Sequence, residues 1–387
     1  MERAELETLV MATGRAEKHG GFVFLVDPHW STIQREVFAA SVREADRVGA
    51  TKMREGWLCI PTGGSSGGLK FARHDEETLG AAAIGFSSHF SMPRVNAVDV
   101  LPPWHVSGLM ARVRCAMTGG RHRAWTSKQL EAGSVPDLGN PREWVISLVP
   151  TQLHRLMATP SMADWLRSLG LILVGGGPVW PDLIAATRET NLPVVLSYGM
   201  TETAAMVAAQ LPGEFIAGDA SSGRPLPHVR LAICDDAGND LPPGAEGGVR
   251  LAGSSVMRGY FGEKATLGTF ETSDSGRVDD TGRLWVSGRR DDLIITGGEK
   301  VNPREVEAIL RASGCFAELV VLGVPHSGWG EEVVACYVPG PTLFDEAREL
   351  NLTRHQKPKR YRCIAEADWP RNAQGKVNQA VLRALFG

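Results

Sequence analysis

Between residues 57 and 210 one pattern recurs: a short apolar run, a Gly- or Pro-rich turn, then a longer mixed segment. Val98–Leu101, Trp144–Leu148, Leu171–Val174 and Val194–Leu196 are such runs, and Pro181–Glu189 is a helical pattern that follows one of them. Strands alternating with helices build a parallel or mixed sheet covered on both faces, so the chain reads as α/β. In sheets of this kind ligands collect outside the carboxyl ends of the strands, where the Gly-rich turns lie. Ahead of this region, residues 1–50 read as mostly helical, with one apolar strand at Phe22–Val26.

Beyond Gly223 the pattern changes. Val229–Cys234, Gly248–Leu251 and Leu284–Val286 are short strands joined by turns such as Asp235-Asp236-Ala237-Gly238 and Asp279-Asp280-Thr281-Gly282, which predicts a β-rich subdomain. The charged segment Ser287–Asp292 then leads to a helix opened by Asn302-Pro303, proline being favoured in a first turn. Strands at Leu319–Val324 and Val333–Val338, a helix near Phe344–Leu350 and a last helix at Asn378–Phe386 complete a small α+β lobe. The domains expected are therefore 1–290 and 291–387.

Charge and composition exclude several functions. Lys and Arg total 41 against 44 Asp and Glu, a balance unsuited to wrapping nucleic acid or coating an anionic membrane. No apolar run approaches the roughly 20 residues that cross a bilayer. The N-terminus has an acidic, helix-like start without an apolar h-region, so secretion is not expected. The six cysteines are scattered with no C-x-x-C pair, indicating neither a zinc ribbon nor a disulfide framework. A cytoplasmic protein is the expectation.

The chemistry begins at Pro61–Lys70, where Thr62, Gly64, Ser65, Ser66, Gly67 and Lys70 follow the apolar run Trp57–Ile60. Glycines let backbone N–H groups converge, hydroxyls add donors and a lysine adds charge, which together cradle phosphate oxygens. The order is not that of a Walker A loop, and a turn without a ligand would look the same. Further along, His105 follows Leu101-Pro102-Pro103-Trp104, Gly175-Gly176-Gly177-Pro178 ends an apolar run, and Tyr198-Gly199-Met200-Thr201-Glu202-Thr203 joins a ring, hydroxyls and a carboxylate. Glu202 offers a hard oxygen ligand to Mg²⁺, although Thr and Glu would also suit a helix N-terminus.

Taken in order, these motifs resemble those of the adenylate-forming superfamily: acyl-CoA synthetases, adenylation domains and luciferases. The loop is similar to that family's Thr-Ser-Gly-Thr-Thr-Gly-x-Pro-Lys-Gly, departing at Gly63, Leu69 and Phe71. The resemblance runs from about residue 55 to 386, and the stretch before the loop is shorter than the family's. It implies a large N-terminal domain and a small mobile C-terminal one. It implies ATP contacts at the loop residues, at Gly176, Gly177 and Pro178 against adenine, at Tyr198 and Gly199, at Asp274 of Thr272-Ser273-Asp274 for the ribose, and at Arg289. His105, Ser107 and Gly175 would line the acid's pocket, Thr201, Glu202 and Lys376 would serve catalysis, and Glu202 would hold Mg²⁺. Asp291 falls on the hinge, and Gly298 and Glu299 of Thr296-Gly297-Gly298-Glu299 fall on the CoA path. Lys376, in Pro370-Arg371-Asn372-Ala373-Gln374-Gly375-Lys376, matches the lysine that reaches ATP during acyl-adenylate formation.

Finer features are similar to o-succinylbenzoate–CoA ligases of menaquinone and phylloquinone synthesis: the His105-Val106-Ser107-Gly108 run, the segment 147–153, whose Val149-Pro150-Thr151-Gln152-Leu153 is the most particular, and Gly199-Met200-Thr201-Glu202-Thr203-Ala204. Arg112, Arg114 and Arg121 are candidates for the carboxylate that does not react. The co-substrates implied are ATP, Mg²⁺ and CoA, the partner a small carboxylic acid, with a homodimer left open. Ligation of another carboxylic acid, the loading of a carrier protein and a non-catalytic nucleotide-binding relative stand as alternatives.

Overall fold

The computed structural model describes residues 1–48, 55–63, 69–177, 179–344, 352–371 and 377–387. The chain separates into two compact units. One comprises residues 1–179, 183–272 and 277–286, the other 180–182, 273–276 and 287–387.

In the first unit a seven-stranded sheet is ordered Arg224–Pro225, Ala205–Ala209, Val194–Met200, Leu171–Val174, Trp144–Leu148, Asn96–Asp99, His122–Ala124. The five strands from Val194–Met200 to His122–Ala124 run parallel, and Ala205–Ala209 turns back antiparallel on Val194–Met200. Leu171–Val174 is buried along its whole length, as a parallel strand covered on both faces must be. The helices Glu76–His89 and Val106–Thr118 bring Leu79, Ala82, Ala83, Leu109, Met110 and Val113 into one apolar cluster with Trp57 and Ile60. Glu76–His89 starts where it does because Asp75 caps it, its carboxylate accepting from Thr78 N–H at 3.0 Å.

A second sheet, Ala16–His19, Phe22–Leu25, Leu58–Gly63 and Leu69–His74, packs Phe22, Phe24, Trp30 and Phe71. Its first strand corrects the reading of residues 1–50 as helical with one strand. Among the described residues Ala16–His19 pairs only with Phe22–Leu25, so its Glu17 and Lys18 side chains lie on an exposed edge and carry no apolar signal. The β-rich subdomain is a four-stranded sheet of Val229–Cys234, Gly247–Gly253, Thr269–Val278 and Leu284–Arg289.

In the second unit Ile294–Thr296, Glu299–Val301, Phe316–His326, Gly330–Pro339 and Arg360–Cys363 form a five-stranded sheet. The helix Pro303–Arg311 packs Val306 and Leu310 against it, capped by Asn302, whose side chain accepts from Arg304 N–H. Of the helix expected near Phe344–Leu350, all but Phe344 lies outside the described residues, and Phe344 itself is not helical. The last helix is Gln379–Arg383, followed by a 3₁₀ turn. All six cysteines are free, five of them buried. Among the described residues no helix is long and apolar enough to cross a membrane.

Candidate functional site

The glycine-rich loop links two described strands of one sheet. Leu58–Gly63 and Leu69–His74 pair antiparallel, with Thr62 opposite Lys70 and Gly63 opposite Leu69. No helix follows directly, so the loop differs from the strand-to-helix turns of the parallel sheet. Gly64, Ser65, Ser66 and Gly67 lie outside the described residues, whereas Thr62, one pair in from the loop, is buried. Lys70 reaches sideways: its Nζ sits 3.1 Å from Glu263 and 4.6 Å above the ring of Tyr260.

Two other candidate segments are neighbours because their strands are. Val174 pairs with Leu196 in the parallel ladder, which sets Gly175, Gly176 and Gly177 beside the end of the strand that carries Tyr198 and Gly199. A Cβ on Gly199 would lie 1.9 Å from the Ala205 carbonyl oxygen, so glycine there permits the close return of Ala205–Ala209. Around Gly177 the space is open, and Pro178 lies outside the described residues. Thr201–Thr203 is a 3₁₀ turn that leads straight into a strand, with Ala204 in the left-handed region at φ 53°. The Tyr198–Thr203 motif is therefore a strand end and tight turn, not the start of a helix.

That turn is held from three directions. His74, fully buried at the end of the loop's return strand, brings Nε2 within 2.8 Å of the Thr201 carbonyl oxygen. Met257 N–H donates to the Glu202 carbonyl oxygen at 2.8 Å. The Tyr260 hydroxyl donates to Glu202 Oε1 at 2.7 Å. Sequence reasoning passed over both His74 and Tyr260. Tyr260 stands 58 residues beyond Glu202, and only its place between Gly259 and Phe261, in a chain with four tyrosines, could have drawn attention to it.

Among the described residues no group of three or more His, Cys, Asp or Glu side chains could hold a metal unaided. A single carboxylate with one oxygen already bonded suits a hard cation that arrives coordinated by nucleotide phosphates, which is how Mg²⁺ is ordinarily held.

His105 is the N-cap residue of Val106–Thr118, and its Nε2 lies 3.9 Å from Asp27 Oδ2; Ser107 occupies the helix's first turn. The three arginines proposed for a second carboxylate have partners inside the protein. Arg112 Nε is 3.5 Å from Asp99, a residue that also meets His122 at 3.0 Å. Arg114 is buried with its guanidinium 4.1 Å from the Phe86 ring, and desolvation brings its pKa down to about 10. Arg121 lies over Trp144 and 3.6 Å from Glu143.

The second unit carries the remaining candidates. Arg289 donates twice to Asp291, at 2.8 and 2.6 Å, and that bonding holds the Asp291 carboxyl below its usual range. Asp274, in the strand Thr269–Val278, adds a further negative charge near Arg289. Gly297 and Gly298, at φ 59° and 87°, make the two-residue turn of a hairpin in which Thr296 pairs with Glu299. Lys376 lies outside the described residues, between Arg371 and Val377, which pair with each other as a bridge.

Comparison with known proteins adds an independent line. A model of a family described as AMP-binding enzyme matches residues 8–261. The chain is 34% identical over 287 residues to 2-succinylbenzoate–CoA ligase of Enterococcus faecalis, covering 72% of this chain and 58% of that protein. It is 34% identical over 347 residues to indoleacetate–CoA ligase of Aromatoleum aromaticum, covering 85% and 67%. Among solved structures it resembles Bacillus subtilis o-succinylbenzoate coenzyme A synthetase in complex with ATP and magnesium ion. There the TM-score is 0.69 at 27% identity, covering 87% of this chain and 73% of that one.

Proposed function

Because the chain belongs to the AMP-binding enzyme family, we propose that it is an ATP-dependent acid–CoA ligase whose acid is o-succinylbenzoate. The observation that carries this reading is the 34% identity to a 2-succinylbenzoate–CoA ligase, joined to the clustering of Thr201 and Glu202 with the loop's own return strand through His74.

In the first half-reaction a carboxylate oxygen of the acid attacks the α-phosphorus of ATP, the bond to pyrophosphate breaks, and acyl-AMP forms. Charge grows on phosphoryl oxygens, so catalysis is electrostatic. Thr62, Ser65, Ser66, Lys70 and Thr201 donate to those oxygens, and Lys376 supplies a cation. Losing one such donor costs about 2.7–4 kcal/mol of transition-state stabilisation. Glu202 would hold Mg²⁺, which when bound would neutralise phosphate charge. Gly176, Gly177, Pro178, Tyr198 and Gly199 bed the adenine, and Asp274 and Arg289 hold the ribose side. His105, Ser107 and Gly175 border the acid.

In the second half the unit bearing Lys376 turns about Asp291, and Gly298 and Glu299 come to flank the incoming pantetheine. The CoA thiolate attacks the acyl carbon and AMP leaves with the electron pair of the broken bond. No covalent enzyme intermediate is required, and five of the six cysteines are buried. ATP and CoA are cytoplasmic metabolites, and on this reading so is the protein's location.

A second acid is favoured by one observation: the indoleacetate ligase shares the same identity over a longer stretch. ATP–pyrophosphate exchange with o-succinylbenzoate, indoleacetate, benzoate, fatty acids and amino acids separates these readings. Exchange with o-succinylbenzoate above all others is expected. Exchange with none would leave a nucleotide-binding relative without chemistry, and CoA against a phosphopantetheinyl carrier distinguishes ligase from carrier loading.

A further inference from the structure

We propose that Tyr260 is a positioning residue for the Glu202 carboxylate, setting the geometry in which that side chain meets the nucleotide-bound metal; this rests on the reading of Glu202 as the metal's ligand. The segment around Tyr260 is fastened to the loop's return strand by backbone hydrogen bonds. Arg73 N–H donates to Gly259 O at 3.0 Å, Phe261 N–H to Phe71 O at 2.8 Å, and Ala72 bridges to Tyr260 itself. The same segment grips Glu202 twice, by Met257 N–H on its backbone and by the Tyr260 hydroxyl on Oε1. The ring face is used as well, with the Lys70 ammonium 4.6 Å above its centre. One short stretch thus touches the strand leaving the phosphate loop, the loop lysine and the metal-binding carboxylate.

A glutamate free in all its torsions must be ordered when it binds a cation, and Mg²⁺ tolerates little departure from octahedral geometry. A hydrogen bond to one oxygen orders the carboxylate beforehand and aims the other. The ammonium over the ring draws electron density from the phenol and strengthens its hydroxyl as a donor. Partners of this kind, one bond removed from a metal, typically change its affinity about 10–100-fold when lost.

Tyr260→Phe removes only the hydroxyl and keeps the ring beneath Lys70. The measurement is the ATP dissociation constant by calorimetry, without acid or CoA, in Mg²⁺ and in EDTA. Wild-type protein should bind ATP more tightly with Mg²⁺. In Tyr260→Phe that gain should fall about tenfold, with affinity in EDTA and the thermal midpoint unchanged, whereas Glu202→Gln should abolish the gain. If Tyr260→Phe keeps the full gain while Glu202→Gln loses it, the positioning role is overturned and the metal-ligand reading stands. If Glu202→Gln also keeps it, both fall.

Discussion

His74 Nε2 lies 2.8 Å from the carbonyl oxygen of Thr201, joining the strand that leaves the glycine-rich loop to the turn that carries Glu202. Since a carbonyl can only accept, Nε2 carries the proton, and Nδ1 faces Thr78 Oγ1 at 3.1 Å. The ring is fully buried and desolvation brings its pKa down to about 4; the Thr201 bond and the nearby Asp75 oppose that shift, and the Arg258 charge adds to it.

This contact predicts an acid-sensitive fold. In the unfolded chain the imidazole gains its proton near 6.5, in the folded protein only near 4. Between those values the unfolded state binds more protons, so His74's contribution is complete above about pH 6.5 and is lost as pH falls toward 4. From pH 7 to pH 5 it amounts to about 2 kcal/mol. Urea denaturation at the two pH values should show His74→Gln losing less stability on acidification than wild type. His228, also brought down to about 4 by burial, leaves a residual slope in the variant.

Two glycines of the candidate site should respond oppositely. Gly199→Ala forces a Cβ against the Ala205 backbone at 1.9 Å, which no rotamer relieves, and should destabilise by about 3 kcal/mol. Gly177→Ala meets nothing within 4 Å and should change stability by less than about 0.5 kcal/mol. Its effect should appear instead as weaker ATP binding, because the methyl occupies the face proposed for adenine. Chemical denaturation and nucleotide titration of both variants check the contrast.

Lys376→Ala should abolish acyl-AMP formation while leaving thioester formation from supplied acyl-AMP largely intact. Single-turnover assays of the two half-reactions measure this. Equal loss in both would refute the division of labour assigned to the lysine.

Asp291→Pro should do the reverse, preserving adenylation and stopping CoA transfer. Proline fixes φ near −65°, so a rotation that passes through this residue is blocked. The substitution also removes the carboxylate that binds Arg289 twice. Asp291→Ala, which loses the pair and keeps the freedom, should therefore retain CoA transfer if hinge motion rather than the pair matters.

Much of the fold was legible in local sequence. Trp144–Leu148, Leu171–Val174, Val229–Cys234 and the helix Pro181–Glu189 have the bounds that their apolar runs and flanking turns predict. Such elements are chosen by neighbours in the chain: apolar periodicity, a capping side chain, a turn residue. Ala16–His19 escaped notice because an edge strand needs no apolar face, and Ala205–Ala209 because it is reached through an unusual left-handed alanine. The residue types of the glycine-rich loop suggest a phosphate cradle, yet nothing in them tells a link between antiparallel strands from a strand-to-helix turn.

What sequence alone determined, then, was the kind of element at most positions and the chemical character of each motif, since both depend on residues a few places apart. Tertiary structure alone decided which motifs meet. His74 reaches Thr201 across 127 residues and Tyr260 reaches Glu202 across 58. Those meetings depend on strand order and register. Order and register are selected by the burial of whole sheet faces at once, a collective quantity that no local stretch of chain contains.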